Sequence, residues 1–138
     1  MVALALIFIM SVMGISAMRE STLEKRMAAN SVFKASTLQL AETAAELSIA
    51  NTENLKTAYS AQGTVIKPTL PSHANSSLQS EASLQYAGSG PPIGFSLGVG
   101  GGFQALRFVA QGTASLPDVQ AQARVSQGAY RTVPALTQ

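Results

Sequence analysis

Apolar residues fill the start of the chain without a gap. The first eighteen residues, MVALALIFIMSVMGISAM, carry no charge. Leu4, Leu6, Ile7, Phe8, Ile9, Met10, Val12, Met13 and Ile15 cover every face of a helix, where a core helix would show one stripe. A run of about 20 such residues crosses a ~30 Å hydrocarbon layer. Three readings compete for this segment: a retained membrane helix, a cleaved secretory signal, or a buried core helix. Gly14-Ile15-Ser16-Ala17 would suit a cleavage site, but no basic region precedes the apolar run. Length and all-round hydrophobicity favour the retained span.

From Ser21 to Asn51 the composition turns to Ala, Leu, Glu, Lys and Met, with no Gly or Pro, which favours uninterrupted helix. Ser21-Thr22-Leu23-Glu24 also fits a capping box, so a second helix beginning there is an alternative. Leu40, Ala44 and Leu47 share one face, with Ala41 and Ala45 beside it. Alanines on that face let a sheet or another helix approach closely. Asn51, Thr52 and Asn54 weaken the pattern, and Gly63 and Pro68 end it. Residues 60–80 are rich in Ser, Thr, Asn, Gln and Ala and read as a surface connection.

Beyond residue 80 the period becomes two. Leu84 and Tyr86 alternate with Ser83 and Gln85, and Leu106, Phe108 and Ala110 alternate with Arg107, Val109 and Gln111. The cleanest alternation is Val119–Ser126. This is the signature of half-buried antiparallel strands. Gly112–Asp118 predicts a hairpin loop of about seven residues. Gly128 followed by Tyr130 predicts a bulge, and the last strand is expected to end before Pro134. The pattern as a whole is α+β, with three or four antiparallel strands packed on the C-terminal half of a long helix. Its expected divisions are 1–18 (transmembrane half of the helix), 19–54 (its second half), 55–80 (connection) and 81–138 (sheet).

Charge and composition narrow the chemistry. Charged residues make up 12% of the 138 residues, and the pI near 9.2 reflects scarce charge more than a basic patch. Nucleic-acid binding gains no support from that distribution. With no cysteine there is no disulfide, thiol nucleophile or thiolate metal site. The lone His73 lies in a polar loop, where a solvated role is the ordinary one. Gly98-Val99-Gly100-Gly101-Gly102 lacks the Lys and the following helix of a phosphate loop, and reads as a turn. Asp118 is the only aspartate, and Glu53 and Glu81 are the only glutamates after residue 50, so no paired-carboxylate or Ser/His/Asp set assembles. The expectation is a protein with no catalytic residues, no metal site and no cofactor.

Three strings carry a resemblance. Ile15-Ser-Ala-Met-Arg-Glu-Ser-Thr-Leu-Glu-Lys-Arg-Met-Ala-Ala-Asn30 is similar to the N-terminal signature of PilX-type minor pilins of the type IV pilus. Gln39-Leu-Ala-Glu-Thr-Ala-Ala-Glu-Leu47 is similar to that family's Q-A-A-E-A-A-L segment, with Glu42 at its glutamate. Gly90-Pro-Pro-Ile-Gly-Phe-Ser-Leu-Gly98 resembles its G-P-P-P-G-Y-S-L-G turn. The resemblance covers residues up to about 47 closely and the last ~55 loosely. The chain departs from the family's pattern in two places: it shows neither a basic leader ending in glycine nor an acidic residue before Glu20. Arg19, Lys25 and Arg26 all lie beyond the apolar run, which the positive-inside rule would place in the cytoplasm. A basic leader upstream of Met1 is expected to resolve that conflict.

The resemblance implies a pilin-like α+β fold and a non-enzymatic minor pilin acting in type IV pilus assembly. Leu4, Leu6, Ile7, Phe8, Ile9, Val12 and Ile15 would form the membrane and assembly surface, and Leu40, Ala41, Ala44 and Leu47 the helix–sheet contact. The implied partners are other minor and major pilins, met through N-terminal helices, together with inner-membrane lipid and the assembly machinery. The implied location is the bacterial inner membrane, single-pass with a periplasmic C-terminal domain, and then the fibre. A type II secretion pseudopilin, or a secreted or periplasmic ligand-binding module freed of a signal peptide, are the alternatives.

Overall fold

A computed structural model describes residues 2–71, 77–94 and 102–134. With no proline and one glycine, the segment Val2–Ala50 forms a single α-helix of 49 residues, α1. At 1.5 Å per residue it is about 74 Å long. The helix runs through Ser21 without a break, and the Thr22 hydroxyl donates back to the Met18 carbonyl at 2.8 Å. The capping-box alternative is therefore not used: continuous backbone hydrogen bonding outcompetes a local cap where nothing ends the preceding turn.

Asn51 ends α1. It takes an extended conformation (φ −81°, ψ 113°), and its side chain accepts from the Glu53 N–H at 3.0 Å, capping a second helix, α2, over Thr52–Ser60. Asparagine suits this position because its short carboxamide reaches the second free N–H of the new helix. The Asn54 amide donates to the Ser48 carbonyl at 3.3 Å, tying the corner. The division expected at residue 54 falls inside α2.

Three strands follow, β1 (Gln79–Gly90), β2 (Phe103–Leu116) and β3 (Ala121–Pro134), in the antiparallel order β1-β2-β3. Ile66 adds a paired bridge to Leu84 on the outer side of β1. The β2–β3 connection is shorter than expected. β2 continues through Gly112 to Leu116, and a 3₁₀ turn at Pro117–Val119 leads to Gln120 in the left-handed conformation (φ 54°). Gly112, read from sequence as the start of the loop, thus lies mid-strand, with a packing role described below. The bulge predicted near Gly128 is also absent, since β2 and β3 pair in unbroken register from Leu116↔Ala121 to Phe103↔Pro134. Tyr130 simply points to the outer face and is exposed. The irregularity lies instead between Tyr86 and Gly88 in β1, where Gly88 has φ 120°. β3 includes Pro134, one residue further than expected, at the strand's terminal position, where its missing N–H costs least. His73 and most of the Gly98–Gly102 run lie outside the described residues.

Helix α1 touches all three strands. The core is Ala45, Ala58, Leu84, Leu106, Phe108 and Ala110, with Ile49, Leu55, Ile66, Tyr86 and Val133 around it. Tyr59, Tyr86 and Phe108 stack edge-to-face in series, with ring centroids 5.3 and 5.7 Å apart. Such pairs add roughly 0.5–1.5 kcal/mol each beyond area burial. They seal α2 over one end of the sheet.

Candidate functional site: the N-terminal helix and its seat

The helix has two contrasting parts. Its C-terminal part buries Thr37, Ala41, Ala44, Ala45 and Ser48. These fall at spacings of three and four and form one stripe of small side chains. Opposite them β2 offers Ala110, Gly112 and Ala114, all buried. At Gly112 the approach is backbone to backbone. A methyl group there would overlap the Ala41 carbonyl oxygen and come within 2.9 Å of the Ala45 nitrogen. The two buried hydroxyls need no water. Thr37 donates to the carbonyls of Phe33 and Lys34 at 3.1 and 3.0 Å, and Ser48 to that of Ala45 at 2.7 Å. The seat is close-fitting, and both hydroxyls are satisfied by their own helix.

Of the residues expected to make this contact, Ala41 and Ala44 lie in the stripe. Leu40 is half-buried at its flank, and Leu47 is 40% exposed, facing Leu70 and Pro71. Thr37, Ala45, Ser48 and Gly112 complete the seat. Ala45 stood beside the predicted face; for the other three the signals were the continuation of the i, i+4 stripe to polar but small residues, and a glycine in the middle of an alternating strand, which marks close backbone approach.

The N-terminal part packs against no other described residues. Leu4, Leu6, Ile7, Phe8, Ile9, Val12 and Ile15 are each 48–70% exposed. Consecutive positions are open, so no face is covered. An 18-residue window here has mean hydropathy 2.0, and none of it is buried. From Val2 to Met18 the helix spans about 26 Å, close to the hydrocarbon thickness of a bilayer. Exposed apolar residues continue past it at Leu23, Met27 and Val32. A contiguous sleeve of this kind far exceeds the scattered apolar residues of ordinary soluble surfaces and marks a membrane or protein contact.

Among the described residues no group of three His, Asp or Glu side chains is placed to hold a metal ion. A groove under α2, lined by Leu55, Tyr59, Leu106, Phe108 and Val133 with Lys56 and Arg131 at its rim, is open to solvent.

Residues 1–46 match the family model described as PilX N-terminal. No curated protein and no solved structure matches the chain. The matched third contains both the bare apolar sleeve and most of the stripe that seats the sheet. Over those residues the chain is similar to the N-terminal segment of PilX-type pilins.

Proposed function

We propose that this chain is a minor pilin taking part in type IV pilus assembly, held first in the inner membrane and then in the fibre by the N-terminal half of α1. The observation that carries the reading is the bare apolar sleeve from Val2 to Met18, long enough to cross a bilayer and covered by none of the described residues. In the membrane the sleeve is surrounded by lipid, and in a fibre by the equivalent helices of neighbouring pilins. Both surroundings bury the same apolar surface, so transfer between them changes little hydrophobic free energy. Residues 19–134 would then stand on the periplasmic side, the sheet carried on the helix by the small-residue seat. Other minor and major pilins are the partners this arrangement needs.

Replacing Phe8 or Ile9 by Asp tests the reading. A carboxylate at mid-span costs about 3 kcal/mol on insertion. Each variant should leave the membrane fraction and fail to support piliation. Unchanged membrane fractionation of both variants contradicts the proposal.

A further inference from the structure

Immediately beyond the apolar sleeve α1 carries five charges in eight residues: Arg19, Glu20, Glu24, Lys25 and Arg26. All five are exposed. The ion pairs among the described residues are Lys56–Glu53 and Lys67–Glu81, and none of the five takes part in one. Their spacing explains this. No acid stands three or four residues from a base, the separations at which helical side chains meet.

The charges are nevertheless sorted. With about 100° of turn per residue, Glu20 and Glu24 share one side of the helix. Lys25, Arg26 and Arg19 occupy the other, and the midpoints of the two sectors lie about 180° apart. On the basic side, Arg19 and Arg26 flank a shallow cleft with Ile15, Met18, Thr22 and Leu23. The Thr22 hydroxyl there is already engaged with Met18. The helix is thus transversely polarised at a single level, just past the point where its apolar sleeve ends.

We propose that this polarised ring is a side-by-side docking surface for a second copy of this chain, the acidic side of one helix facing the basic side of the next. The inference rests on the anchored-pilin reading. Two copies inserted through the same sleeve are parallel and begin at the same depth, so their rings lie at the same level without adjustment. Because the two sides differ, the contact is heterologous: each copy offers one side to a neighbour on the left and the other to a neighbour on the right. That geometry propagates instead of closing on itself.

The test uses the full chain, which has no native cysteine. A Gln62→Cys change in the exposed turn after α2 takes donor or acceptor dye, and the protein is reconstituted in phosphatidylcholine vesicles. Self-association is read by energy transfer. E20R/E24R makes both sides of the ring basic, and R19E/R26E leaves Lys25 alone against four acids. Each variant by itself should associate roughly tenfold more weakly than the parent chain. A one-to-one mixture of the two should recover association to within about threefold of the parent. Unchanged transfer in either variant alone, or a mixture no better than its components, overturns the proposal. So does a loss confined to R19E/R26E in vesicles containing phosphatidylglycerol, which would assign the basic side to anionic headgroups. Flotation of the parent chain with the vesicles scores anchoring separately. If the parent fails to float, the anchoring reading falls, and the same mixing comparison in detergent micelles still decides the ring.

Discussion

Gly112 does more for the fold than its lack of a side chain suggests. It lets the α1 backbone at Ala41 and Ala45 lie directly on β2, so even one methyl group must push helix and sheet apart. Overpacking of this kind costs typically 1–3 kcal/mol. Here the obstacle is backbone, which cannot rotate away, and Gly112→Ala should fall at the upper end, about 3 kcal/mol, in denaturant unfolding of the full chain in detergent. Gly128 in β3 supplies the control, because a methyl group there meets no atom within 4 Å. Gly128→Ala should stay within about 0.5 kcal/mol of the parent. Equal losses at both positions would mean that the close approach is not what holds the helix. The sequence hinted at these roles unevenly. Ala41 and Ala44 stood out as small residues on a helical face. Thr37 and Ser48 did not, because a hydroxyl reads as polar until its own helix is seen to satisfy it.

At the scale of elements, the long helix and the strands were legible from periodicity, while their ends and joints were not. An apolar run with no charge, followed by residues free of Gly and Pro, required a helix. The period of two after residue 80 required strands. Glycine misled the reading twice, since Gly112 and Gly128 suggested a loop and a bulge where the strands are regular. A glycine serves turning, bulging and close approach alike, and only the opposing element decides among them. The corner at Asn51 was visible only as a weakening of helical pattern, yet it redirects the chain into α2, which closes the core through Leu55, Ala58 and Tyr59. Its cap bond to the Glu53 N–H makes a direct prediction. Asn51→Ala should destabilise the full chain by about 1 kcal/mol in the same unfolding assay. Asn51→Asp, which keeps an acceptor, should cost much less. Equal losses for the two would place the corner's stability elsewhere.

Across the whole molecule the division of labour follows the helix. Its last third is spent on the sheet, and its first third is left bare. The candidate surface at Leu4–Ile15 could be read from sequence because hydrophobicity on every face has few uses in a short chain. The charge sorting at residues 19–26 escaped notice because neither of its sides stands out in a linear string. The claim at the centre of the account is that the bare sleeve lies in lipid while the rest of the helix emerges into water. With no native thiol to interfere, single cysteines introduced at positions 4, 8, 12, 15, 23, 27 and 32 measure this directly, through their reaction in vesicles with a membrane-impermeant maleimide. The account predicts strong protection at 4, 8, 12 and 15 and free reaction at 27 and 32, with the change falling near Arg19. Uniform labelling along the whole series would contradict it.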